Sequence, residues 1–122
     1  MKFNYYNPVD EKGGCIFRSF SKFFNIDYNT VKNEMLDLQK ELNCKSYSDD
    51  LVIETYLNDH GVFDINSTYK GQIKDLQNEG KSIILCYNKK DFYHMVTIID
   101  NTVFDKQEET LDLYVLKIYK RR

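Results

Sequence analysis

Apolar and polar positions along this chain follow two different periods, and the change falls near residue 80. Before it, apolar residues recur every three or four positions. Ile16, Phe17, Phe20, Phe23 and Phe24 share one face, which predicts a helix over 15–24 that Asn25 can end. Val31, Met35, Leu38 and Leu42 form a second stripe, a helix over 28–43 with Asp27 placed as its cap. A third helix is expected over 49–59. Ser48 can cap it, Asp49 and Asp50 suit its positive end, and Gly61 suits its stop. "VFDI" at 62–65 reads as a short strand. A fourth, short helix is expected over 69–78, between Thr68 and Gly80. Residues 1–13 read as an extended arm and loop, broken by Asn7-Pro8 and Gly13-Gly14.

After residue 80 the helical period is lost. "SIILCYN" at 82–88 is a continuous apolar run, expected to be a buried strand. "YHMVTII" and "TVFD" flank Asp100-Asn101, a pair that tolerates positive φ and so predicts a hairpin turn. "LDLYVLKIY" at 111–119 reads as a last strand. Helices first and an antiparallel sheet second make an α+β fold. No repeat or linker divides the chain, so 1–122 is read as one domain, with a mostly helical part (1–79) and a sheet part (80–122).

Composition narrows the classes. The chain has 122 residues, 42% hydrophobic and 30% charged, with a formal charge of −2 and a single proline. That is a globular composition without the basic footprint of a nucleic-acid binder. No apolar run is long enough to span a bilayer, and the polar start "MKFNYYNPVDEK" does not read as a secretory signal, so a cytoplasmic protein is expected. Cys15, Cys44 and Cys86 are an odd, widely spaced set, which argues against a disulfide framework and against a zinc site. No cofactor is implied.

Candidate chemistry centres on Cys15. It stands at the start of the first predicted helix, where free N–H groups and the helix dipole favour a thiolate. Arg18, one turn on, would support that thiolate if it faces the same way. The alternative is a small core residue after a glycine loop. Of the two histidines, His60 falls in a helix's last turn and reads as structural, whereas His94 opens a strand. With a two-residue turn at 100–101, Ile99 faces Thr102 and Val96 faces Asp105. His94, Val96, Ile98, Val103 and Asp105 then share one face of the hairpin. Asp105 is a diagonal neighbour of His94, while Asp100 lies at the tip, about 20 Å along the strand. Cysteine, histidine and a carboxylate are sufficient for nucleophilic catalysis once the fold brings them together.

That order resembles the papain-like cysteine peptidases. More narrowly, it resembles short papain-fold proteins of phages and other bacterial mobile elements. The matching segments are "NP" at 7–8, "GGCIFRS" at 13–19, "YNTV" at 28–31 and "HMVTIIDNTVFD" at 94–105. The resemblance implies a papain-like fold with Cys15 as nucleophile, His94 as base and Asp105 as its orienting acid. There are departures. Gly14 stands where the group has Asp, Ser19 where it has Ala, and Val9 where papain-like enzymes carry the glutamine of the oxyanion hole. Asn7 is the nearest amide and could share that task with the Cys15 N–H; an Asx-type turn before Pro8 is its other reading.

Three functions follow as expectations: a cysteine peptidase acting on a protein or peptide, a host protein among them; a catalytically weak or inactive binding protein of a mobile element that inhibits a host system; or a deamidase or transglutaminase-like acyl transferase. The oligomeric state is left open.

Overall fold

The structure, a computed structural model, describes residues 1–121. Its elements run β1 (Lys2–Tyr5), α1 (Cys15–Phe24), α2 (Tyr28–Glu41), α3 (Asp50–Asp59), β2 (Val62–Asn66), β3 (Lys81–Tyr87), β4 (Tyr93–Ile99), β5 (Thr102–Asp105) and β6 (Tyr114–Arg121). Short 3-10 turns occupy Ile73–Asp75 and Glu108–Asp112. The class is α+β: three helices pack on a six-stranded sheet of order β1-β5-β4-β3-β6-β2. No described helix is long and apolar enough to cross a membrane.

Local chemistry accounts for the helix ends. Asn25 closes α1 in the left-handed region at φ 56, with its N–H on the Ser21 carbonyl. Asp27 caps α2, accepting from the N–H groups of Asn29 (3.1 Å) and Thr30 (3.3 Å). Asp49, not Ser48, is the first residue before α3, and it makes no side-chain cap. α1 is buried on almost every side, including the polar residues Arg18, Ser19 and Ser21. Thr97 of β4 donates to the Ser19 carbonyl at 2.5 Å and locks α1 to the sheet.

The sheet separates two apolar layers. On the helical side Phe17, Phe20, Val31, Met35, Val52 and Tyr56 pack against Ile83, Met95 and Tyr119. On the other, Ile84, Val96, Ile98, Val103, Val115 and Ile118 are covered by Ile73 and Leu76, with Leu111 packed alongside. Burial on both faces explains why β3 and β4 read as near-continuous apolar runs.

Three expectations are corrected. The sheet is mixed, because the arm expected to be loop forms β1 and pairs in parallel with β5, from Lys2↔Thr102 to Tyr5↔Asp105. Over 69–78 only one 3-10 turn forms. There the backbone is spent on the neighbouring segment instead: Ile73 N–H bonds to Leu113 O and Val115 N–H to Gly71 O, both at 2.9 Å. Helical hydrogen bonds are lost to a tertiary partner, and Gly71 lowers the cost of refusing the helix. The last strand begins at Tyr114, since Glu108–Asp112 is the second 3-10 turn.

The turn between β4 and β5 forms as expected, with Asp100 (φ 49) and Asn101 (φ 61) both in the left-handed region. Ladder pairing runs only from Ile99↔Thr102 to Thr97↔Phe104. Beyond it the two strands are free to part, and that open end holds His94 and Asp105.

Candidate active site

Cys15 is the first residue of α1, behind the N-cap Gly14. The N–H groups of the first turn have no acceptor within the helix and point toward the thiol's surroundings. Arg18 N–H closes the first helical bond on Gly14 O, at 2.8 Å. The loop before Cys15 is tied from two sides. Tyr47 donates to Gly13 O (2.7 Å), and Tyr28 donates to Glu11 (2.6 Å), which also receives Lys32 at 3.0 Å.

Gly14 has a steric reason here. A Cβ on it would stand 2.2 Å from the Tyr28 hydroxyl oxygen. The room that a side chain would take at this position is occupied by the Tyr28–Glu11 pair.

His94 leads in from β4, and its Nε2 lies 2.6 Å from Asp105 Oδ2. That leaves Nδ1 as the ring nitrogen for the Cys15 thiol, which lies within hydrogen-bonding reach of the imidazole. The three residues foreseen from the sequence are therefore brought together in the order thiol, imidazole, carboxylate. Phe92 stacks on the outer face of the imidazole, with ring centroids 5.7 Å apart and planes 21° apart.

Asp105 is 1% exposed and carries a full set of donors. Oδ2 accepts from His94 and from Thr110 Oγ1 at 2.5 Å; Oδ1 accepts from the Lys106 N–H at 2.7 Å and from Arg18, whose Nε and terminal nitrogen lie at 3.2 and 3.1 Å. Arg18, expected to support the thiolate if it faces the same way, is bonded to the acid. Its charge still favours the thiolate, as the least of several contributions.

The protonation states follow from these contacts. Burial works against the Cys15 thiolate, but the His94 hydrogen bond and charge, the Met95 N–H and the Arg18 charge outweigh it and hold the thiol below its ordinary range. Burial likewise disfavours the His94 cation, yet Asp105 and Cys15 raise the imidazole to about 9. At Asp105 burial is again opposed, by His94, Thr110 and the Lys106 N–H, and the carboxyl stays below its usual range. The first two shifts describe one coupled pair, a thiolate beside an imidazolium. Cys86 differs: burial, then the Asp105 and Cys15 charges, push its thiol well up.

A cleft of ≈ 670 Å³ opens beside the thiol and the imidazole. Ile16, Ile53, Leu85, Met95, Leu116 and Tyr119 make its apolar walls, and Tyr47, Ser48, Asp50 and Lys117 add polar atoms. Asn7 is not among its lining residues. Its Nδ2 is directed at Asp10, 3.4 Å away, while its Oδ1 is buried without a hydrogen-bond partner. His60 lies away from this cleft, with Nδ1 2.7 Å from the Tyr56 carbonyl and its ring stacked on Tyr56, as its structural reading required. Among the described residues no group of three or more potential ligands is placed to hold a metal ion.

Thr110 and the Tyr28–Glu11 pair were not foreseen. Thr110 lay in a stretch next to the presumed last strand. Tyr28 was visible only as part of "YNTV", with nothing to tell which residue its hydroxyl would reach.

No protein-family model, curated protein or solved structure matches the chain.

Proposed function

We propose that this protein is a thiol-dependent hydrolase of papain-like architecture, a cysteine peptidase in its reaction class. The observation that carries the reading is the Cys15–His94–Asp105 array at a helix N-terminus, opening on an apolar cleft. Structural cysteines are inert because burial keeps the thiol protonated, as at Cys86. At Cys15 the same burial is outweighed by His94, the Met95 N–H and the Arg18 charge.

In this reading the proton of Cys15 rests on His94 and the thiolate attacks the carbonyl carbon of an amide. A carbon–sulfur bond forms while the carbonyl π pair moves to oxygen, facing the N–H groups at the start of α1. Collapse of the adduct expels the amine, which takes the proton from His94. Water then attacks the thioester, giving a proton to His94, and the leaving thiolate regains the resting pair. Asp105 orients the imidazole and stays ionised throughout.

Intact-mass labelling with iodoacetamide at pH 7, followed by a peptide-amide panel, tests this. Cys15 is expected to react at least about tenfold faster than Cys44, with Cys86 silent and the advantage lost in His94→Ala. Peptide cleavage should vanish in Cys15→Ser. Equal, slow labelling of Cys15 and Cys44, independent of His94, would overturn the reading.

A further inference from the structure

The acid behind the imidazole is unusually crowded with donors, and two of them come from side chains outside the array. Arg18 is 2% exposed and Thr110 4%. A guanidinium this deep is costly unless paired, and Asp105 is the only acid it pairs with among the described residues. Arg18 also belongs to the same helix as Cys15, three residues on, a rise of about 4.5 Å. One rigid element therefore carries the nucleophile and the counter-ion of the acid.

We propose, building on the thiol-hydrolase reading, that Arg18 and Thr110 are positioning residues acting on His94 through Asp105. They divide the carboxylate between them, lock its rotation, and compete with the imidazole for its negative charge. His94 needs a partner strong enough to hold it in place. It must also give its proton to a leaving amine. A carboxylate answering to His94 alone would hold the imidazolium too tightly. With Oδ1 given to Arg18 and the Lys106 N–H, and Oδ2 shared with Thr110, the imidazole is oriented by an acid whose pull is already partly spent.

The chain of charge alternates along the array: thiolate, imidazolium, carboxylate, guanidinium. The titrating or charged groups nearest the imidazole are Cys15 and Arg18 from α1, Cys86 from β3 and Asp105 from β5, and the cleft it faces adds Tyr47, Asp50, Tyr93 and Lys117. The Cys86 thiol lies 3.3 Å from the His94 carbonyl oxygen. The 3-10 turn of Glu108–Asp112 contributes the uncharged hydroxyl of Thr110. Arg18 and Thr110 are the two side chains whose replacement alters the donors on Asp105 while the thiol, the imidazole and the carboxylate themselves are kept.

The test is NMR titration of the His94 ring in the intact protein, with and without alkylated Cys15, in Arg18→Met, Arg18→Lys and Thr110→Val. It does not depend on turnover. The proposal expects the His94 midpoint to rise in Arg18→Met by on the order of 0.5–1 pH unit, to return toward wild type in Arg18→Lys, and to rise by less in Thr110→Val. If Arg18→Met does not fold, Thr110→Val and Arg18→Lys carry the same signs on a smaller scale. A midpoint unmoved, or lowered, in folded variants would assign Arg18 and Thr110 to stability alone and overturn the proposal. Failure of the peptidase reading would show differently, as the expected His94 shifts in the variants beside a wild-type protein that cleaves no peptide.

Discussion

His94 and Asp105 sit on successive strands, eleven residues apart, with Nε2 and Oδ2 separated by 2.6 Å. Their contact falls just past the last paired residues of the β4–β5 ladder, Thr97 and Phe104. A side-chain bond takes over where the β4–β5 ladder stops, while β3 holds His94 through Cys86 and β1 holds Asp105 through Tyr5.

Removing the acid should therefore be doubly costly. Asp105→Asn keeps the shape but leaves Arg18 buried beside a neutral amide. Chemical denaturation should report a loss of about 3–5 kcal/mol, the cost of an uncompensated buried charge. The His94-dependent reactivity of Cys15 should fall by about two to four orders of magnitude, as the imidazole loses its orientation. A variant as stable as wild type would contradict the buried-pair account.

Stability should vary with pH in two windows of opposite sign. The Asp105 carboxyl is lowered from 3.8, so its contribution is complete above 3.8 and is lost as acid drives the pH through the lower folded value. The His94 imidazole is raised from 6.5 to about 9, so its contribution is complete below 6.5 and is lost as pH rises toward 9. In wild type the lowered Cys15 thiol gains stability over the same range and offsets this loss, so the decline above pH 6.5 should appear in Cys15→Ser and be absent from Cys15→Ser/His94→Ala, by thermal unfolding. If the slopes of the two proteins coincide across that window, the imidazolium is not stabilised in the fold.

Gly14 should tolerate no side chain while Tyr28 keeps its place. Gly14→Ala puts a Cβ 2.2 Å from the Tyr28 hydroxyl oxygen and should cost about 1–3 kcal/mol. Tyr28→Phe removes that oxygen, so the double variant should recover part of the loss in a double-mutant cycle. Additive losses would mean that the clash is relieved by some other movement.

Access through the cleft should be separable from reactivity at its end. Leu116 is half-buried in the wall, and Leu116→Trp should narrow the space beside the thiol. Iodoacetamide should still reach Cys15 within about twofold of the wild-type rate. An electrophile with a bulky apolar side chain should lose about tenfold or more, the scale of discrimination by pocket shape. Equal losses for both reagents would place the apolar side chain elsewhere.

What could be read from the sequence was what depends on near neighbours. Asn25 and Asp27 end and begin helices by their own side chains and backbone preferences. Asp100-Asn101 sets the hairpin turn, and strand parity then places His94 and Asp105 on one face. What could not be read depends on distant partners. Lys2–Tyr5 has no strong strand pattern of its own, and its parallel pairing with β5 joins opposite ends of the chain. Arg18 reaches an acid 87 residues away, a choice that helix periodicity does not encode. Residues 69–78 carried helical spacing, but their backbone found better partners in the segment leading into β6.

The place of β6 has a consequence for when the thiol becomes reactive. It is made after every other strand, yet it lies inside the sheet, between β3 and β2. Before it inserts, β2 has no partner strand, and the cleft lacks the wall formed by Leu116, Lys117 and Tyr119. His94, Asp105 and Thr110 also emerge late, long after Cys15. A nascent chain therefore carries Cys15 as an ordinary thiol, and its activation waits for the closing of long-range contacts that are slow to form. Synthesis order leaves the Cys15 thiol without His94 and the cleft around it until the fold is whole.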